Sequence, residues 1–498
     1  MKLNDGLEPL PAEESEASLD PTDWEHFRQL AHQTLDLALD HVRTVRERPV
    51  WREVPSEVKQ ALAEPLPVDG ESLDEVLGDF RKNILPYATG NIHPRFFGWV
   101  HGAGQLGGIV AEMLAAALNP NCGGRDHGAI YVERAVVGWA RELFGLPKTA
   151  SGLITTGTSM ANLIGLTVAR HWAQRDVRQR GVNREAGRLV AYASAEVHSS
   201  VPRAMEILGL GREALRLIPV DADFRVSPEA MRRTIVQDCA AGLKPFAIIG
   251  CAGTVNTGAV DDLQALASLA AEEKLWFHVD GAFGGLLMLS EKLKGRLKGI
   301  ERADSIGFDF HKWAQVTYDA GCILVRQGEL HAEAFRMRPA YLEHQPRGLA
   351  GGGDWPCDFG PELSRGFRAL KVWFALKEHG TRRLGEIVER NCQQAQWLAQ
   401  RIGKEPELEL AAPVGMNIVC FRVRADRMSP AEQDRLNEEI VADVQQSGRA
   451  ATSSSTVAGR RAIRVNITNH RTRTEDLEVL VDSVLEAADK RLGDEGEK

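Results

Sequence analysis

A lysine set in Phe308-Asp309-Phe310-His311-Lys312-Trp313, preceded by an aspartate set in His278-Val279-Asp280-Gly281-Ala282-Phe283-Gly284-Gly285, defines the chemistry this chain can carry. The Lys312 amine can condense with an aldehyde to an imine, and Asp280, following an apolar run, can keep a pyridine nitrogen protonated. Together they supply two halves of pyridoxal phosphate chemistry: a covalent anchor, and a counter-charge that lets the ring accept electrons. Each has an ordinary alternative. A lysine is usually a surface residue, and an aspartate before glycine often caps a turn.

Two further segments fit the same cofactor. Thr155-Thr156-Gly157-Thr158-Ser159-Met160-Ala161-Asn162 runs into an apolar stretch, Leu163 to Ala169, so its N–H groups and the hydroxyls of Thr158 and Ser159 can hold a phosphate at a positive helix end. A plain helix N-cap reads the same way. His198, in Ala195-Glu196-Val197-His198-Ser199-Ser200, offers a flat ring to stack on a planar cofactor, or is simply a structural histidine. Thr254 is a further cofactor-binding candidate. The order phosphate turn, histidine, aspartate, lysine is far less probable by chance than any one member.

The elements that must position these residues are readable in outline. From about 135 to 330, helical stretches alternate with short apolar runs at Leu189 to Tyr192, Phe246 to Gly250, Leu275 to Val279 and Cys322 to Val325. Such alternation predicts an α/β fold with a mostly parallel sheet covered on both faces, and ligands in such sheets bind beyond the carboxyl ends of the strands. Beyond about 370, Ile418 to Phe421, Ala462 to Ile467 and a helix from about Thr474 to Leu492 predict a smaller α+β domain. Residues 1–20 are acidic and read as loose. Thr22-Asp23-Trp24-Glu25 then offers a capping box before Trp24, Phe27, Ala31, Leu35, Val42 and Val45 at helical spacing, an apolar face that packs on a partner subunit or on its own core.

Composition excludes several classes. The 498 residues carry 60 basic and 69 acidic side chains, net −9, without a basic run, so neither a nucleic acid nor an anionic membrane is an expected partner. Seven scattered cysteines, none spaced C-x-x-C, indicate neither a zinc site nor a disulfide framework, and no metal is expected. Without a signal-peptide pattern or a membrane-length apolar run, the expected location is cytoplasmic.

These residues resemble a family: the group II pyridoxal-phosphate-dependent amino acid decarboxylases, which include aromatic amino acid, histidine and glutamate decarboxylases. The likeness extends over nearly the whole chain. It is carried by His93-Pro94-Arg95-Phe96-Phe97-Gly98-Trp99, by Ala195 to Ser200, His278 to Gly285 and His311-Lys312-Trp313, and by Ser364 to Trp373 and Ile463 to His470. The resemblance implies an aspartate aminotransferase-like fold (pyridoxal phosphate fold type I) with a seven-stranded-type central sheet. It divides the chain into an N-terminal helical segment (1–95) packing on a partner subunit, a large cofactor domain (96–370) and a small C-terminal domain (371–498). It further implies a homodimer with the site at the interface. By position, Thr158 and Ser159 contact the phosphate, Asp309 and His311 border it, and His198 stacks on the ring and guides protons. Ala282 packs on the opposite face, Asp280 pairs with the pyridinium, and Lys312 forms the Schiff base. Trp99, His101 and Arg464 fall near the substrate. The implied reaction takes an L-amino acid to its amine and CO2.

The chain departs from that pattern in places. The segment Arg347 to Asp358 lacks the tyrosine with which the family returns a proton to carbon, so oxidative deamination to an aldehyde is a rival outcome, and a carbon–carbon lyase or aminotransferase uses the same lysine and aspartate. Arg125-Asp126-His127 replaces a small Ser-Pro segment, and Trp99-Val100-His101 replaces an aromatic-recognising stretch, leaving polar, acidic and aromatic substrates all open. Gly102-Ala103-Gly104-Gln105-Leu106-Gly107 matches a dinucleotide-binding fingerprint, but no second strand precedes Asp126, so a nicotinamide oxidoreductase is the weakest reading.

Overall fold

The apolar runs pair into one sheet. In a computed structural model, which describes residues 18–182, 187–337 and 345–496, seven strands form it: β1 (Ser151–Thr155), β2 (Leu189–Ser194), β3 (Leu215–Ile218), β4 (Lys244–Cys251), β5 (Trp276–Asp280), β6 (Ser305–Asp309) and β7 (Gly321–Val325). Their order across the sheet is β1-β7-β6-β5-β4-β2-β3. The β2-β3, β2-β4, β4-β5 and β5-β6 pairs are parallel, while β7 runs antiparallel to both β6 and β1. The reversal has a local cause. Helices return the chain between the parallel strands, whereas only the short turn from Phe310 to Ala320 links β6 to β7, too little for a crossover. That turn carries Lys312.

Every residue of β2, β5, β6 and β7 is buried, as a sheet packed on both faces requires. Three of the seven strands escape the sequence reading. β1 and β6 contain glycine and polar residues, and β3 is only four residues long. A second, antiparallel sheet has the order β10-β11-β9-β8, from β8 (Leu408–Leu410), β9 (Ile418–Val423), β10 (Ser453–Val457) and β11 (Arg460–Asn466). The helix Thr474–Gly496 contributes Leu477, Leu480, Val481 and Val484 to the core behind it.

The N-terminal helix spans Trp24–Arg43, and its cap is Asp23 rather than Thr22: the Asp23 carboxylate accepts from the Glu25 and His26 N–H groups. Within that helix only Leu30 is buried. Most of the acidic stretch 1–20 lies outside the described residues. The glycine-rich run Gly102 to Gly107 is preceded by no strand, which removes the dinucleotide reading; it leads straight into the helix Leu106–Leu118. Gly102 serves close approach instead, since a Cβ there would stand 2.1 Å from the His311 carbonyl oxygen and 2.5 Å from that of Lys312.

A buried ion pair ties the turn after β1 to the scaffold. Arg365 donates to both oxygens of Glu133, at 2.9 and 2.7 Å, and also to the Cys122 and Ile154 carbonyls, while Glu133 accepts the Ile154 N–H at 3.1 Å. The pair thus closes over the backbone of β1 immediately before Thr156. No helix among the described residues is long and apolar enough to cross a membrane.

Candidate active site

Five strands end at one edge of the sheet, and the chemistry-bearing residues sit there. Thr156 to Ser159 follow β1, His198 follows β2, and Thr254 follows β4; Asp280 closes β5, and Asp309 closes β6 ahead of the Lys312 turn. A cavity of about 450 Å³ is lined by Thr158, Ser159, His198, Thr254, Asp280, Ala282, Asp309, His311 and Lys312, together with Trp99, His101 and Tyr318. All nine cofactor-binding candidates therefore share one pocket. Of the three substrate candidates, Trp99 and His101 line it. Arg464 stands behind the wall, donating to the Val255 carbonyl at 2.8 Å and the Trp99 carbonyl at 2.9 Å. Burial pulls its guanidinium down to about 10.

Lys312 and the turn Thr156 to Ser159 meet on Asp309. The Lys312 ammonium lies 3.0 Å from Asp309 Oδ2, and the Thr158 N–H donates to Oδ1 at 2.7 Å. His311 receives the Ala320 N–H on Nδ1 at 3.0 Å, so its neutral ring carries the proton on Nε2, 3.6 Å from Asp309. Burial lowers the His311 pKa more than Asp309 raises it.

Asp280 is held by a chain of buried polar groups that sequence reasoning missed. The Trp276 indole N–H donates to Ser305 Oγ at 2.8 Å, and Ser305 Oγ lies 2.8 Å from His278 Nδ1. His278 Nε2 is 2.9 Å from Asn162 Oδ1, and the Asn162 amide donates to Asp280 Oδ2 at 2.8 Å and to Ser200 Oγ at 3.0 Å. Ser200 Oγ in turn lies 2.8 Å from His198 Nδ1, which also accepts the Ser200 N–H. One self-consistent set of donors satisfies all of them: Ser305 donates to His278, His278 to Asn162, and Ser200 to His198. His278 is kept neutral by burial, which lowers its pKa to about 4. His198 then has its proton on Nε2; burial lowers its pKa more than the Asp280 carboxylate raises it. The one available signal for this network was polar residues inside otherwise apolar strands and helices, at Asn162, His278 and Ser305.

Two features fit pyridoxal phosphate on this structure's own terms. Asp280 is buried, and its hydrogen bonds come from the neutral Asn162 amide and the Ala282 N–H, so among the described residues no cation pairs with it; a pyridinium would. At the other end of the cavity, the Thr158 hydroxyl is buried and without a partner, beside the first N–H groups of the helix Thr158–Ala173.

The tyrosine-free segment is anchored. Trp355 is buried and donates to the Gly351 carbonyl at 3.0 Å, the Arg125 guanidinium stacks 4.6 Å over its ring, and Arg134 donates to the Asp354 carbonyl at 2.7 Å. None of its described residues lines the pocket.

Comparisons with known proteins give the family. The model of the pyridoxal-dependent decarboxylase conserved domain matches residues 55–424. The aromatic-L-amino-acid decarboxylase of Bacillus atrophaeus is 34% identical over 457 residues, 91% of this chain and 93% of that one. Phenylacetaldehyde synthase of Arabidopsis thaliana is 28% identical, over 90% and 93% of the two chains. The crystal structure of Oryza sativa TDC with PLP and tryptamine superposes with a TM-score of 0.88 at 25% identity, covering 95% of this chain and all of that one.

Proposed function

Since the chain belongs to the pyridoxal-dependent decarboxylase family, we propose that it converts an aromatic L-amino acid to its amine and CO2 on bound pyridoxal phosphate. The observation that carries this reading is the single pocket holding an amine (Lys312), an uncompensated buried carboxylate (Asp280) and an aromatic wall. In that wall the His101 ring stacks on Trp99 at 5.8 Å and meets the Tyr318 ring edge-on at 6.1 Å. Burial lowers the His101 pKa, with Lys312 adding to the shift, so this wall presents a neutral imidazole between two aromatic rings. An aromatic side chain finds planar partners there. Arg464 stands behind this wall, with Nε and Nη1 on backbone carbonyls and Nη2 buried without a partner.

Bound pyridoxal phosphate supplies an aldehyde for the amino group and a ring that takes up the electrons left when CO2 departs. The residues do the rest. Lys312 would anchor the cofactor through its aldehyde, and Asp280 would pair with the ring nitrogen and keep it charged. Thr158 and Ser159 would bind the phosphate, with Asp309 and His311 bordering it. His198 and Ala282 would hold the ring between them, and Thr254 lines the same pocket. Asn162 fixes both Asp280 and, through Ser200, the His198 tautomer. Incubating the enzyme with a panel of amino acids while measuring CO2, amine, aldehyde and peroxide tests the proposal. Amine and CO2 in equal amounts from an aromatic substrate are expected, and no CO2 from any member of the panel refutes it.

The tyrosine-free segment favours a second reading, and a relative is an aldehyde synthase. There, amino acid, O2 and water become aldehyde, CO2, ammonia and hydrogen peroxide. Peroxide matching CO2 in the same assay selects it.

We further infer that a second copy of the chain covers the helix Leu106–Leu118. Its only ionisable residue is Glu112, yet Leu106, Val110, Met113, Leu114 and Leu118 are exposed, as are Trp24 and Phe27 of the N-terminal helix. Sedimentation is expected to give twice the chain mass, and Leu114→Asp to yield monomer with lost activity; a wild-type monomer at micromolar concentration overturns this. A reducing compartment such as the cytoplasm suits the seven unpaired cysteines. Recovery of the protein from a secreted fraction would contradict that placement.

A further inference from the structure

The proposed decarboxylation must end with a proton placed on the carbon that loses CO2, and the segment expected to bring a tyrosine for that step brings none. A different tyrosine lines the pocket. Tyr318 lies on the same β6–β7 turn as Lys312 and borders the cavity that holds Lys312, His198 and Asp280. It is the one tyrosine among the described residues in that lining.

Its placement is determined from several sides. The ring packs on that of His311 at 4.3 Å and meets His101 edge-on. The Tyr318 carbonyl accepts from the Lys371 ammonium at 2.9 Å, and Lys371 is itself buried and paired with Glu112. The neighbouring Asp319 carboxylate is held by Arg368 at 3.1 Å. Across the pocket wall, Gly102 packs so closely on the His311 and Lys312 carbonyls that no side chain fits, and its N–H lies against the phenol oxygen. A residue needed only to fill space does not require a hydroxyl, and Tyr318 keeps one in a pocket where 47% of the residue remains open.

Resting on the decarboxylase reading, we propose that the Tyr318 hydroxyl is the acid that returns a proton to the substrate carbon after CO2 leaves. The O–H bond of Tyr318 breaks as the new C–H bond forms, and the phenolate is reprotonated from solvent or from the Lys312 ammonium before the next cycle. Partial burial, reinforced by the Asp309 carboxylate, raises the phenol above its ordinary value, so it carries its proton at neutral pH. His198 offers a second N–H from another part of the lining, and the two are separable by experiment.

Tyr318→Phe keeps the ring, its contact with His311 and the carbonyl bonded to Lys371, and removes only the hydroxyl. A positioned acid contributes roughly 10²–10⁴-fold, so kcat for amine formation is expected to fall by at least about 100-fold. KM and the affinity of the apoprotein for pyridoxal phosphate should stay within about threefold. A larger fraction of turnovers should end in aldehyde and peroxide, because O2 competes for the unprotonated carbon. In D2O the residual amine should carry deuterium in mixed or inverted configuration, while wild type gives one configuration. Unchanged kcat, product ratio and label configuration would overturn the proposal. So would a variant whose main defect is weak cofactor binding, which would make Tyr318 a positioning residue, and so would a wild-type enzyme that makes aldehyde and peroxide as its main products. Wild type releasing no CO2 from any amino acid is a separate result that removes the decarboxylase reading itself.

Discussion

Lys312→Ala is expected to abolish turnover and the visible absorption of lysine-bound pyridoxal phosphate together. Lys312 is the one lysine among the described residues lining the pocket, and its ammonium sits 3.0 Å from Asp309, which also holds the turn after β1 through the Thr158 N–H. The amine has two tasks on this reading: it holds the cofactor as an imine, so that a substrate amine enters by exchange, and it then remains in the pocket as a base. A positioned proton-transfer group alone is worth roughly 10²–10⁴-fold, and loss of the covalent anchor adds to that, so a fall of at least about 10³-fold in CO2 release is expected. Borohydride reduction should fix the cofactor to the Lys312 peptide in wild type, detected by its mass, and to no peptide in the variant. The alanine leaves Asp309 without its ammonium partner, yet Asp309 keeps the Thr158 N–H, so the fold should survive; circular dichroism checks this. A Lys312→Ala protein with wild-type CO2 release, or reduced label on a different lysine, would show that the anchor lies elsewhere.

What was readable beforehand and what was not follow from where the information resides. Strands buried on both faces announce themselves as apolar runs, so β2, β4, β5 and β7 are visible in the sequence, as are β9 and β11. The motif residues Thr158, His198, Asp280 and Lys312 are visible because each follows a strand end or leads a helix, where backbone geometry limits the choices. β6, read as Ser-Ile-Gly-Phe-Asp, hides because its polar Ser305 and its Gly307 are explained only by neighbours: Ser305 by Trp276 and His278, Gly307 by Asn162, whose oxygen would stand 2.9 Å from a Cβ. Asn162 is likewise legible only in three dimensions, since its partners lie on β5 and at the start of the helix Ser200–Ile207. The antiparallel course of β7 was latent in the short Phe310–Ala320 connection. Tyr318 escaped because nothing local distinguishes it from any half-exposed aromatic; its meaning comes from the pocket it borders and from the tyrosine missing elsewhere.

Asp280→Ala is expected to lower CO2 release by about 10–10³-fold while leaving the Lys312 link to the cofactor intact. An opposite charge at contact distance shifts a pKa by about 1–3 units, and each unit is a tenfold change in population. On this reading Asp280 would raise the ring nitrogen's pKa, so that nitrogen would stay charged to higher pH. Removing the carboxylate lowers it, and residual activity should therefore be confined to lower pH, with its alkaline limb moved toward acid. The substitution also leaves the Asn162 amide without one acceptor, a loss worth about 1–3 kcal/mol in a buried site, and loosens the link that runs through Ser200 to His198. Two variants separate charge from scaffold. Asp280→Asn retains an oxygen acceptor for Asn162 but no charge, and should be nearly as impaired as alanine if charge governs the rate. Loading either variant with pyridoxal phosphate methylated on the ring nitrogen supplies a permanent cation without the carboxylate, and should restore at least tenfold. Recovery with the methylated cofactor assigns Asp280 to the electronics of the ring. Full activity of Asp280→Asn with the ordinary cofactor would instead assign the residue to the Trp276–Ser305–His278–Asn162 scaffold, and the electron sink would need another source of charge.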